Sequence, residues 1–453
     1  MPGNPLPTDG VVGKLTSEQE TALKAYWVEF LKLVDESPVE GSGTSSSALE
    51  TADKPGKDIP KDDAAKERLK AEQEMRDAKL AFVEYGSKRF MDAYWRFIAM
   101  DDPDGIMLRF LRARKWSSSA GVAMLAACIK WRMGSDVEKI FEKGEEGMKE
   151  AEGFIRQMEI GKTYTQGTDH LGRPVTYIHV AKHRTFDQSP KALEDFVIFQ
   201  MESIRCLFAP PVDKVVIVFD MTGFGIRNLP PLIHDSTDWR CILFIVKCLE
   251  SYYPESLSVM LIHNAPWVFQ GIWKVLGPML DPVVRNKIQM TKTTEDLCQH
   301  IPKAHLVREL GGSSEWRWNY PPIVPGENAP QQDLEGRKKH QAARDALIAE
   351  YVAITREWCA SSDPVLAKRR ELCVSKMRAQ YHELDPYIRG RGAYHRNGNI
   401  VGNGLVVWNY PSASEEKTEG EWEVRGYETC REECLLRAKQ LEDELRASGT
   451  QAA

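Results

Sequence analysis

The chain is short of several things that would declare a function. Its nine cysteines, Cys128, Cys206, Cys241, Cys248, Cys298, Cys359, Cys373, Cys430 and Cys434, are odd in number and contain no C-x-x-C pair. That pattern excludes a disulfide framework and reads as reduced thiols in an intracellular protein. No apolar run approaches the roughly 18 residues that would suggest a transmembrane helix. The opening MPGNPLPTDG has neither the basic nor the apolar part of a secretory signal. A soluble, cytoplasmic protein is expected. Neither sign of charge dominates, with 60 Lys and Arg against 66 Asp and Glu for a formal charge of -6. This argues against a protein that coats nucleic acid.

Chemistry-bearing motifs are also scarce. There is no Walker A loop, no G-x-S-x-G elbow and no paired-carboxylate motif. VVIVFDMTGFG places Gly223 and Gly225 after a strand, but Pro230 and Pro231 stand where a dinucleotide fingerprint needs its third glycine and helix start. His179 and His183, His300 and His305, and Cys430 and Cys434 are spaced pairs without a third ligand, so no metal site is expected. Asp220, at the end of a buried strand, is the single candidate base. The expectation is no enzyme, no metal and no cofactor.

What is present is organised in blocks. Residues 1–36 carry an amphipathic helix over LTSEQETALKAYWVEFLKLVDE, with Thr16 or Ser17 as its cap. Residues 37–63 are rich in Gly, Ser, Thr, Pro and charge, and read as a disordered linker. Residues 64–150 form a small all-helical lobe. From 151 to 325 the pattern becomes strand, helix, strand, helix: RPVTYIHV, then SPKALEDFVIFQMESIRCLF with Ser189 as cap and Pro190 first, then KVVIVFDMTG, a helix stopped by Pro254, SLSVMLIHNAP, a helix over 267–280 and NKIQMT. Continuous apolar strands alternating with helices indicate an α/β domain with a largely parallel sheet. Residues 326–412 form a basic, helical extension ending in a Gly-rich turn and a short strand. Residues 413–453 read as a charged C-terminal helix.

Two stretches stand out. RFLRARKW (109–116) concentrates four cations, with Met107, Phe110 and Leu111 as the packed stripe and Arg109 and Arg112 expected to face water. The helix 267–280 is apolar around its circumference: Trp267, Val268, Phe269, Ile272, Trp273, Val275, Leu276, Met279 and Leu280, against Gln270 and Lys274. It is too short to span a membrane. Its composition suits a helix that covers an apolar cavity and swings onto a lipid surface.

In this order, the FLRARK segment on a helical lobe, D-x-x-G-R-P-V (Asp169, Gly172, Arg173, Pro174, Val175), a strand ending in D-x-x-G, YYPE (252–255), NAP (264–266), LDP (280–282) and GG (311–312) resemble the CRAL-TRIO lipid-binding family, and within it the fungal phosphatidylinositol transfer proteins. The resemblance covers about 101–318. It implies a helical N-terminal lobe and a mixed, largely parallel sheet flanked by helices around a deep apolar pocket, closed by a gate helix at 267–280. It implies a phosphoinositide head group held by Arg114, Lys115, Lys287 (six residues after Asp281) and Glu255. The pocket and gate would be lined by Phe219, Met260, Trp267, Phe269, Ile272, Trp273, Leu276, Leu280 and Val284.

Val284 stands where the yeast phosphatidylinositol/phosphatidylcholine exchanger has a threonine. Its choline-pocket positions fall on Thr165, Leu207, Val215 and Ile217, mostly apolar. Phosphatidylinositol is therefore the expected ligand, with a sterol or other apolar lipid rather than phosphatidylcholine as the second. The expected protein is a monomeric, non-enzymatic carrier that exchanges these lipids through transient, peripheral membrane contact, without nucleic acid. The alternative is a lipid-sensing regulatory or scaffold protein that presents lipid to an enzyme.

Overall fold

Thr16 opens the first helix as its sequence requires: its hydroxyl accepts from the Gln19 N–H at 3.3 Å, and the Gln19 side chain accepts from the Thr16 N–H at 2.9 Å. The computed structural model describes residues 10–42, 63–184, 187–223, 237–267, 269–411 and 421–449. Residues 43–62 of the expected linker, Gly225, Pro230, Pro231 and Val268 lie outside this set. The chain divides into two compact units, one helical and one built on a sheet.

The helical unit comprises residues 7–138 together with 341–381 and 435–453. It begins with α1 (Ser17–Asp35), α2 (Asp63–Ile98), α3 (Pro103–Ala113) and α4 (Ser118–Gly134). Helix α2 is interrupted at Gly86, where φ is +76°. A Cβ there would lie 2.5 Å from the backbone of Val39 and Gly41, so only glycine admits the chain that crosses the break. Tyr26, Trp27 and Phe30 of α1 are fully buried, as are Phe90 and Tyr94 of α2. Among them lies Asp104, which accepts from Trp27 Nε1 at 2.7 Å and forms an ion pair with Arg370 at 2.6 Å. That carboxylate is satisfied from both sides, as a buried charge must be.

The sheet unit comprises 139–340 and 382–434. It holds α5 (Val137–Met148, mostly), α6 (Phe154–Glu159), β1 (Thr163–Thr168), β2 (Pro174–His179), α7 (Pro190–Cys206), β3 (Val215–Asp220), α8 (Thr237–Lys247), β4 (Leu257–His263), α9 (Phe269–Leu276) and β5 (Ile288–Thr291). The strands lie in the order β1-β2-β3-β4-β5. The first pair is antiparallel and the rest are parallel. This is the expected α/β class. Strands that follow one another in space as in sequence, joined by crossovers of one hand, place α7, α8 and α9 on the same face. The other face is closed by Leu297, Ile301, Leu306, Val307, Leu310, Trp316 and Trp318, packed on Tyr164, Val175, Tyr177, Val216, Val218, Val259 and Leu261. The helix-side face carries the alternate residues: Thr163, Thr176, Ile178, Ile217, Phe219, Met260 and Ile262.

Two strands depart from the sequence reading. TYTQGT (β1) offers no apolar alternation, yet it is a buried edge strand. Its backbone is held from the C-terminal part of the chain: Thr165 N–H donates to Tyr394 OH at 2.7 Å and Thr168 N–H to Tyr410 OH at 3.1 Å. The charged helix expected from 413 begins only at Arg431 and runs to Ala447. Before it, β7 (Glu421–Arg425) pairs antiparallel with β6 (Val406–Tyr410). EWEVR has period-2 alternation, and cross-strand partners satisfy its backbone where a helix would have left Trp422 and Val424 on unrelated faces.

Candidate functional site

Between the helix-side face of the sheet and helices α7, α8 and α9 lies a cavity with about 1810 Å³ of atom-free space, part of it open to solvent. The stripe on α7 follows helical spacing, with Leu193, Phe196, Val197, Gln200, Met201 and Ile204 all on the cavity. Of the residues the sequence placed in this lining, Phe219, Met260, Phe269, Ile272, Trp273, Leu276, Leu280 and Val284 line it. Trp267 does not. It sits in the turn before α9 and is 81% exposed. The apolar segment 267–280 is also not one helix: α9 ends at Leu276, and Pro278 lies in a following 3₁₀ turn. Gln270, Gly271 and Lys274 form its exposed side, and the apolar exposure is concentrated before and after it, at Trp267 and at Met279.

Parallel topology also gathers three charged side chains that are not part of the cavity lining. Lys214, Glu255 and Lys287 each stand just ahead of a strand, before β3, β4 and β5 respectively, so the sheet gathers them. Glu255 Oε2 lies 3.9 Å from Lys214 Nζ and 3.7 Å from Lys287 Nζ. Both contacts are long for ion pairs. Glu255 has φ +58°, an uncommon conformation for a non-glycine residue, just after Pro254. Lys214 was not singled out in the sequence because no motif marks it; only the strand order shows it.

A polar row crosses the opposite end, where β2, β3, β4 and β5 finish at His179, Asp220, His263 and Thr291 in register. Asp220 accepts from His179 Nδ1 at 3.0 Å, and its backbone-bonded neighbour Thr222 donates at 2.9 Å. Desolvation acts to raise the Asp220 pKa, but these hydrogen bonds outweigh it and hold the carboxyl below its ordinary value. A depressed pKa suits a structural carboxylate better than a general base working near neutrality. Burial lowers the pKa of His263, keeping that ring neutral. Beside this row, Lys162 reaches His183 Nδ1 at 2.8 Å, and both residues line the cavity.

Arg114 and Lys115 belong to the helical unit. Arg114 caps α3 and grips Glu74 of α2 with both arms of its guanidinium, Nε to Oε2 at 3.1 Å and Nη2 to Oε1. Burial raises the Glu74 pKa, and the Arg114 charge opposes that rise. Lys115 is exposed, with φ +49°. The expectation that Arg109 and Arg112 face water is corrected: Arg109 is buried because α1 and α4 pack against α3, and Arg112 donates to the Gly10 carbonyl at 2.5 Å.

The comparisons with known proteins agree with this architecture. Residues 158–312 match the CRAL/TRIO domain and residues 64–127 the CRAL/TRIO, N-terminal domain. The CRAL-TRIO domain-containing protein C3H8.02 of Schizosaccharomyces pombe is 37% identical over 68% of this chain and 68% of its own length. The phosphatidylinositol transfer protein CSR1 of Eremothecium gossypii is 30% identical over 86% of this chain and 98% of its own length. The chain belongs to the CRAL/TRIO family. The SEC14 cytosolic factor of Kluyveromyces lactis matches more narrowly, 29% identical over 47% of this chain and 71% of its own. Similarity to CSR1 thus extends well beyond the CRAL/TRIO domains. CRAL/TRIO is a lipid-binding and lipid-transfer family. Among the described residues no helix is long and apolar enough to cross a membrane, and no group of three or more His, Cys, Asp or Glu is placed to hold a metal ion.

Proposed function

We propose that this CRAL/TRIO protein is a monomeric, non-enzymatic carrier that exchanges phosphatidylinositol and a second, apolar lipid such as a sterol between membranes, working from the cytoplasm. The observation that carries this reading is the cavity, with apolar walls from three helices and one sheet face. Exposing a methylene to water costs roughly 0.8 kcal/mol, so two acyl tails of about 15 carbons represent on the order of 25 kcal/mol that a carrier must match with apolar contact. A head-group phosphate needs cations, and Lys214 and Lys287, 3.9 and 3.7 Å from Glu255, are the proposed ones. The resemblance also assigns Arg114 and Lys115 a head-group role, although Arg114 is paired with Glu74. The name of the CSR1 relative supports phosphatidylinositol as the ligand. Trp267 and Met279, exposed on either side of α9, are the proposed membrane contacts, since an indole suits the interfacial layer.

The test is transfer of labelled phosphatidylinositol between donor and acceptor vesicles by the purified full-length chain. Transfer is expected, and Lys214→Ala/Lys287→Ala is expected to reduce it by about tenfold while sparing an apolar ligand. No transfer by the native protein, or an equal loss for every lipid in the double variant, sinks this reading.

A further inference from the structure

Beyond Trp318 the sheet unit continues through NYPPIVPG (319–326), which is neither helix nor strand up to Val324. Its backbone is nevertheless constrained. Pro321, Pro322 and Pro325 each fix their own φ at about −65°, and Tyr320, Pro321 and Val324 each precede a proline, which drives them into the extended region. Of residues 320–325, only Ile323 escapes both restrictions. The segment is held close to polyproline II, which repeats every three residues. Burial follows that period. Tyr320 and Ile323, three apart, are half-buried, whereas Pro322 and Pro325, also three apart, are exposed. Val324 is 53% exposed and Pro321 partly so. Both ends are pinned: Tyr320 OH donates to Glu145 Oε2 at 2.8 Å, and Arg396 donates to the Pro321 carbonyl at 3.2 Å and to Glu327 Oε1 at 2.9 Å. The Glu327 N–H then closes a turn onto the Val324 carbonyl at 3.1 Å.

We infer that this ridge is a docking site for a protein module with an SH3-type groove, whose two aromatic-lined pockets each take a hydrophobic residue followed by proline. Pro321-Pro322 and Val324-Pro325 are two such pairs, and Ile323 is the spacer between them. A groove that reads polyproline II grips two edges of the helix and leaves the third pointing away. Here the third edge, Tyr320 and Ile323, is already turned towards the protein's own body. Because the ridge is pinned in the conformation such a groove reads, docking costs little ordering entropy. No residue from Pro321 to Pro325 is charged, so recognition rests on shape and apolar contact, and nucleic acid would find no cation there. The inference is independent of the carrier reading: it gives the chain a tether to another protein and leaves the cavity untouched.

The test titrates the native full-length chain, by fluorescence anisotropy, against each purified SH3 domain encoded in the organism's own genome, with its WW domains alongside. At least one SH3 domain is expected to bind with a Kd below about 100 μM. Pro322→Ala/Pro325→Ala is expected to weaken that binding about tenfold while the melting temperature and phosphatidylinositol transfer stay unchanged. A synthetic peptide of residues 318–327 is expected to displace the native chain from the same domain, and the peptide with both prolines replaced by alanine is not. This arm does not depend on how the variant folds. Binding by no SH3 domain overturns the inference. So does a loss of less than about threefold in the double variant, or failure of the native peptide to compete. Binding by WW domains alone overturns it too, because the two-pocket fit is what assigns the partner.

Discussion

The two faces of one sheet have been put to opposite uses. On β3 and β4, Val216, Val218, Val259 and Leu261 lie under a close-packed cover of leucines, isoleucines and tryptophans. Their immediate neighbours Ile217, Phe219, Met260 and Ile262 look into a cavity. The residue types are interchangeable, so the difference lies in what faces them. One side is filled by the segment 297–318, and the other is roofed by helices that stand off. The cations divide in the same way. Arg114 is closed in a two-pronged pair with a largely buried glutamate, whereas Lys214 and Lys287 hold Glu255 only at 3.7–3.9 Å. A close two-pronged pair contributes more to stability than two long contacts.

Each side of that contrast can be broken separately. Arg114→Ala strands Glu74 in a largely buried position and is expected to cost about 3–5 kcal/mol in denaturant unfolding. A much smaller loss, together with a selective fall in phosphatidylinositol transfer, would show the pair to be an open site after all. Leu261→Ala, on the packed face, is expected to cost about 3 kcal/mol. Ile217→Ala, on the cavity face, is expected to cost less, about 2 kcal/mol, because one side of the residue borders the cavity. Equal costs measured by urea titration would mean that the two faces are equally filled.

A pH dependence is expected at His395, which does not line the cavity. Burial, with Arg389, Arg391 and Arg396 adding to it, pushes the His395 pKa down to about 2. The unfolded ring titrates near 6.5, so below that pH the unfolded chain takes up a proton that the folded chain refuses. Stability from the neutral ring is full above pH 6.5 and falls as the pH is lowered, by about 2 kcal/mol at pH 5. Unfolding measured at pH 7 and pH 5 checks this, and His395→Gln should flatten the difference. The smallest effect on folding is expected from Trp267→Ala, which should leave stability within about 0.5 kcal/mol. It should weaken vesicle binding severalfold in a flotation assay. A loss of stability would instead place Trp267 in the fold's own packing.

Much of this was legible in the residues. Ser189 and Pro190 announce α7, and Ser189 does accept from the Ala192 N–H at 3.1 Å. KVVIVFD reads as a central strand, and the order of short motifs identifies the family. Strand β1 was not legible, because TYTQGT is polar and its burial depends on hydroxyls from Tyr394 and Tyr410, more than two hundred residues away. Nor was Arg109. Helical spacing placed it opposite the apolar stripe, but α1 and α4 cover more of α3 than one stripe. Glu74 carries no mark that it belongs to Arg114, since forty residues separate them.

The sequence by itself determined the alternation of strands and helices, the helix caps and the family, because these depend on local propensity, spacing and short motifs. It also determined that β3 and β4 would be buried, since both of their faces are apolar. Which face is packed and which is hollow was decided only by the tertiary structure. An apolar side chain carries no information about whether protein or lipid will cover it. That depends on how closely α7, α8 and α9 approach the sheet, just as strand order alone brings Lys214, Glu255 and Lys287 together.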